Sequence, residues 1–311
     1  MDHDALESKD QVRVLKGLSD AFALAIDGLI ESKMTGDVEE ELTTGALVGS
    51  MASHAYWVSA LEDELSVTPF VWTHYRKSGQ DSASEPWTGA DFALMLQVAP
   101  NMFRAAVFQA KRAGMSKGSF KSLQFAPARG SHPREPQIVR LARYGRNVQS
   151  NSSAGPSLHW VHYLGYQREE IFHVPLSEMS NYLARVERIN EFISKEADEN
   201  GAQTDELIED TWKKSEVENT YTPAAPLKSF KGLLEKGCSG AGHDHIGGWL
   251  NISGQNAAAA FVAATATSFD VFEGASSRSY QPIIRGSGYE AHVVPIGVAS
   301  QIRSYFKKKG Y

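Results

Sequence analysis

Two apolar runs in this chain each carry polar residues at one end, and those residues are of types that can do chemistry together. Asp91 follows Gly89-Ala90 and opens an almost wholly apolar run that reaches Val98. A second run begins at Phe103 and ends in Gln109-Ala110-Lys111. Both have the composition and length of strands, and Pro100-Asn101 between them is turn chemistry. Two strands joined by a tight turn lie antiparallel, so the start of the first sits beside the end of the second. A carboxylate, a carbonyl oxygen and an ammonium are therefore expected together at one end of a sheet. Such a set can hold a hard divalent cation with a water beside it.

Upstream elements offer further carboxylates. Residues 38–61 read as a helix with Asp37 as its N-cap, and Glu39, Glu40 and Glu41 in the first turn suit the helix dipole. Glu40 shares a face with Thr44, Leu47 and Met51, and Glu41 with Gly45, Val48 and Ala52, so periodicity does not choose between them. Glu85, in the loop entering the first strand, is a third acidic candidate. Downstream the chain turns basic: Lys111, Arg112, Lys117, Lys121, Arg129, Arg134, Arg140, Arg143 and Arg146 face only Glu135 within that stretch. A positive surface beginning at the candidate site suits a phosphodiester substrate. Residues 136–143 then read as a helix headed by Pro136, and 158–166 as a strand. His159 and His162 in that strand read as packed or solvent-facing histidines.

Gly-x-Asp before one apolar strand and Gln-x-Lys at the end of the next, behind an acidic helix, resembles the PD-(D/E)xK nuclease superfamily in the Gln-x-Lys variant of Mrr-like restriction enzymes. The resemblance spans roughly residues 37–167. It implies an α/β fold with a restriction-endonuclease-like core, a mixed central sheet flanked by helices in the order α-β-β-β-α-β, with helical additions at both ends. It further implies Mg²⁺ or Mn²⁺ held by Asp91, Gln109 and a helix glutamate (Glu41 or Glu40), with Lys111 orienting the attacking water. Gln109 is neutral, so the site would carry one charge fewer than the commoner variant. Arg112, Lys117, Lys121 and Arg140 would hold the DNA backbone. The implied activity is metal-dependent hydrolysis of DNA with low sequence specificity, in phage defence or as an antibacterial toxin. A homodimer, to cut both strands, and a regulatory or immunity protein are the partners this suggests.

Length and composition set the bounds. The chain has 311 residues, 42% hydrophobic and 22% charged, with a formal net charge of −6. It reads as globular, with an N-terminal helix in 1–36, the core in 37–176 and a helical and mixed extension in 177–311. No apolar run is long enough to span a membrane. A single cysteine, Cys238, and an N-terminus without signal features point to the cytoplasm. Residues 176–214 read as charged helix interrupted at Gly201-Ala202, 227–235 as a short helix, 256–269 as an alanine-rich helix and 290–298 as a last strand. Lys307-Lys308-Lys309 reads as a solvated tail.

Two other functions compete. A nuclease-fold protein without catalysis would bind only nucleic acid or a partner protein. A metallohydrolase would instead use His243-Asp244-His245, which follows a glycine-rich stretch.

Overall fold

The computed structural model describes residues 3–61, 70–74, 85–99, 101–114, 119–120, 135–149, 157–200, 204–215, 217–239, 246–254, 256–258, 261, 268–272 and 290–293. The two apolar runs form adjacent strands, β1 being Phe70–His74, β2 Phe92–Ala99 and β3 Met102–Arg112. β2 and β3 pair antiparallel, with Phe92 opposite Phe108 and Ala93 opposite Val107. Asn101 in the connecting turn takes φ 60°, a left-handed conformation that asparagine tolerates better than most residues. β1 lies antiparallel on the other edge of β2.

After β3 the chain returns as β4 (Val161–Tyr166), parallel to β3, with one helix among the described residues of the connection. Parallel neighbours require such a crossover. β5 (Ile171–Pro175) turns back antiparallel on β4, and β6 (Lys228–Ser229) pairs with β5. Six strands thus run in the order β6-β5-β4-β3-β2-β1. Among the described residues, β8 (Ser268–Phe272) and β9 (Glu290–Val293) extend the β1 edge. β7 (Leu250–Ser253) pairs with residues 102–105 of β3, while β4 takes 107–112. The architecture is mixed α/β around an open, mostly antiparallel sheet.

Among the described residues the helices include α1 (His3–Glu31), α2 (Met34–Asp37), α3 (Glu40–Leu61), α4 (Glu85–Thr88), α5 (Gln137–Gln149), α6 (Ser180–Asn200), α7 (Asp205–Lys214) and α8 (Phe230–Cys238). On one face of the sheet Ala93, Met95 and Val107 pack with Ile138 and Leu141 of α5 and Leu183 of α6. On the other, Phe92, Leu94, Phe108 and Ala110 pack with Phe22 of α1, Leu47 of α3 and Leu233 of α8. β2 and β3 are buried on both faces, which is why they read as continuous rather than alternating apolar runs. Strand alternation puts Asp91, Gln109 and Lys111 on the α5 face.

Several expectations change. Asp37 closes α2 instead of capping α3, and Thr43 N bonds Glu39 O at the start of α3. The helical and mixed extension 177–311 is not separate from the core, because β6 to β9 join the same sheet. The helix expected through 269 cannot run that far, since Ser268 begins β8. The helix expected at 227 begins at Phe230, after β6. Gly201-Ala202 and Lys307-Lys308-Lys309 lie outside the described residues. No described helix is long and apolar enough to cross a membrane.

Arg104 of β3 is fully buried, and its Nη1 donates to Gly237 O (2.8 Å) and Ser239 O (2.6 Å) at the C-terminal end of α8. A cation there meets the negative end of the helix dipole and satisfies carbonyls the helix leaves open. Arg104→Met is expected to lower unfolding free energy by about 3 kcal/mol, since buried acceptors lose a charged donor. Urea denaturation measures this, and a loss under about 1 kcal/mol would show that the contact is dispensable.

Candidate active site

The β2–β3 register brings the sequence-selected residues together. Asp91 N donates to Phe108 O at 2.9 Å, which locks the entry to β2 against β3. Asp91 is 8% exposed, and its Oδ2 accepts from Ala110 N (2.8 Å) and Gln109 Nε2 (2.7 Å). Gln109 Nε2 also donates to Ala110 O at 3.1 Å, and Gln109 Oε1 accepts from Gln137 Nε2 at 3.0 Å.

Gly89 makes this close approach possible. Its φ is +72°, and a Cβ there would lie 2.6 Å from Gln137 O. Glycine alone accommodates both the left-handed backbone and the first turn of α5 against it. The glycine of Gly-x-Asp thus sets the distance between α5 and the strand ends.

A second contact ties α3 to the same place. Lys111 Nζ is 3.2 Å from Glu40 Oε1, and Glu40 Oε2 accepts from Arg112 N at 3.1 Å. Thr44, one turn on, bonds Glu40 O and meets Tyr166 Oη at 2.9 Å, which fixes the first turn of α3 over the end of β4. Glu40 is therefore the first-turn glutamate that reaches Lys111. Glu41, named above with Glu40 as a metal and catalytic candidate, is exposed on the next face of the helix.

Negative charge exceeds positive charge around Asp91. Burial pushes the carboxyl up to about 7, with Glu85 and Glu40 adding to the rise, while the Ala110 N–H and Lys111 oppose it. An anionic cluster of this kind favours a cation. Among the described residues no three His, Cys, Asp or Glu side chains group closely enough to cage a metal. Magnesium needs no such cage, because it binds through one or two carboxylates and keeps several waters. Asp91 and the amide and carbonyl oxygens of residues 109 and 110 are hard donors of the right kind. Gln109 would have to turn its amide so that oxygen, not nitrogen, faces Asp91.

Set against family models, curated proteins and solved structures, the chain matches none of them.

The basic stretch is less free than its composition suggests. Arg112 is exposed, but its guanidinium donates to Gly36 O at 3.0 Å. Arg140 is half-buried among Glu135, Glu85 and Tyr163, and burial lowers its pKa, so it lies within the fold more than on a strand-binding surface. Arg143 pairs with Glu135, and Arg146 with Glu187 at 2.6 Å. Lys117, Lys121, Arg129 and Arg134 lie outside the described residues, as does His243-Asp244-His245. Cys238 is buried and its thiol is pushed up to about 12 by that burial, which argues against a thiolate nucleophile. His162 is fully buried against Phe108.

Gln137 is the site residue that sequence reading missed. The signal was a polar residue sharing a helix face with Leu141 and Tyr144.

In metal-free protein the raised Asp91 pKa has a defined sign. Between about 4 and 7 the native carboxyl holds a proton that the unfolded chain has released, so its contribution to stability is complete below that window and lost as pH rises through it. The stability of wild type relative to Asp91→Asn is expected to fall by a few kcal/mol from pH 4 to above 7. Denaturation in EDTA across that range measures it. Taking the difference cancels the opposite slope from His162, which burial holds down at about 4. A difference independent of pH would contradict the assignment.

Proposed function

We propose that this chain is a metal-dependent nuclease that hydrolyses phosphodiester bonds in DNA with low sequence specificity, on a restriction-endonuclease-like core. The observation that carries this reading is the meeting of Asp91, Gln109 and Lys111 on one face of a strand end, with Glu40 from α3 on Lys111. The succession α3, β1, β2, β3, α5, β4, interrupted only by the four-residue α4 before β2 among the described residues, with β4 parallel to β3, supports the same reading.

Asp91 and the turned amide of Gln109 would hold Mg²⁺ or Mn²⁺, which supplies Lewis-acid polarisation of the phosphate and a water of lowered pKa. The chain's own residues do the rest. Lys111 Nζ orients the attacking water and meets charge developing on the phosphorane oxygens. Glu40 holds that ammonium in place through its 3.2 Å contact. Gln137 donates to Gln109 Oε1 in the unturned arrangement and would turn its own amide in step, so that its Oε1, buried without a partner, accepts from the turned Gln109 Nε2. Ala110 N–H fixes the Asp91 carboxylate. No helix-turn-helix, zinc finger or other base-reading motif occurs in the sequence, so cleavage is expected to follow the backbone more than the bases. That suits phage defence or an antibacterial toxin, with a homodimer cutting both strands.

One observation favours a binding-only alternative: Asp91 Oδ2 already has two donors, one of them the Gln109 amide. Supercoiled plasmid incubated with Mg²⁺, Mn²⁺ or EDTA separates the two. Metal-dependent nicking is expected, reduced about 100-fold or more in Lys111→Ala and in Asp91→Ala. Equal cleavage by the variants would refute the site, and plasmid binding without cleavage under any metal would favour the alternative. Glu40→Gln keeps the shape of its side chain but removes the charge, and is expected to lower the rate about tenfold in the same assay.

A further inference from the structure

On the opposite face of the sheet from Asp91 lies a cavity of about 410 Å³, bordered by β5, the turn after it, the first turns of α8 and the Gly247-Gly248 turn. Two ammonium groups, Lys228 and Lys236, line it, and Lys228 is paired with Glu178, which also lines it. Ser229 caps α8 by accepting from Gly232 N, so the positive end of that helix borders the cavity.

His173 is the unusual wall. It is 7% exposed, and its tautomer follows from its neighbours. His162 Nε2 lies 2.8 Å from Gly248 O, which can only accept, so Nε2 carries the His162 proton. Burial keeps His162 neutral near pH 7, which leaves its Nδ1 as a bare acceptor. His173 Nδ1, 3.2 Å away, must donate to it. Burial, His162, Lys228 and Lys236 together hold His173 neutral, pushed down to about 2, so its Nε2 is a bare lone pair on the ring edge left for the cavity. Among the described residues no donor reaches that nitrogen. His159, the remaining histidine in the wall, is occupied by Ser157 and Trp249 O.

We propose that this cavity binds a small phosphomonoester that carries free hydroxyl groups. The phosphate sits against Lys228 at the start of α8, where helix N–H groups and dipole favour an anion, and Lys236, in the last turn of the same helix, adds its charge along the cavity wall. A ligand hydroxyl donates to His173 Nε2, and Glu178 accepts another. The volume falls in the range of small-molecule sites and exceeds what a bare phosphate ion fills. None of these residues belongs to the Asp91 site, so the proposal is independent of the nuclease reading.

Calorimetric titration of the full chain in EDTA tests it, with adenosine 5′-monophosphate, glucose 6-phosphate, inorganic phosphate and adenosine as probes. At least one of the two phosphomonoesters is expected to bind at sub-millimolar concentration, and which one identifies a nucleotide or a sugar phosphate. Binding should weaken about tenfold or more in Lys236→Ala and in Lys228→Ala, and stay unchanged in Lys111→Ala. The His173 Nε2 nitrogen resonance should move on binding, which a purely structural histidine would not show. The proposal is overturned if neither phosphomonoester binds at millimolar concentration, if inorganic phosphate or adenosine binds as tightly, or if Lys111→Ala abolishes binding while Lys236→Ala and Lys228→Ala do not.

Discussion

The buried carboxyl of Asp91 is the constraint on which the candidate site depends. An ionised carboxylate out of water is costly unless hydrogen-bonded and balanced by positive charge. Here the Ala110 N–H and the Gln109 amide supply hydrogen bonds, and Lys111 supplies part of the charge. Glu85 and Glu40 tip the balance the other way. The carboxyl is left holding its proton up to about pH 7. Fold elements meet at this point for the same reason: Gly89 admits α5, and Glu40 anchors α3 on Lys111.

β3 is the member that joins the two faces. Its odd positions 109 and 111 present the candidate site towards α5, and its even positions 106, 108 and 110 are buried on the face that carries α1, α3 and α8. Arg104 ties it to the end of α8, and Phe108 stacks on His162 with ring centroids 5.4 Å apart. His162 in turn orients His173, so one strand backs both the Asp91 site and the second cavity. The two sites share a scaffold while using different side chains.

Much of this was legible in the sequence where the signal was local. The β2–β3 hairpin could be read because both strands are buried on both faces, which makes their runs long and apolar. Its register alone brought Asp91 to Gln109. The choice between Glu40 and Glu41 was not legible, because one helical step separates two equivalent faces and only the position of Lys111 decides. Charge in the basic stretch misled for a related reason: Arg146 finds Glu187 on α6, forty-one residues away, and Lys111 finds Glu40 seventy-one residues back. Strands β6 and β7, of two and four residues, are too short to show a period, so they stayed hidden, whereas the strand read from residue 290 is present as β9. Gln137 looked like an ordinary polar residue at a helix start until Gly89 was seen to bring it against Gln109.

The most direct measurement is a crystal of the protein soaked in Mn²⁺ and examined by anomalous scattering at the manganese edge. A peak within coordination distance of an Asp91 carboxylate oxygen, with the Gln109 amide turned so that Oε1 faces the ion, is the expected result. No peak at saturating Mn²⁺ above pH 8, with Gln109 Nε2 still donating to Asp91, would contradict a metal-assisted site.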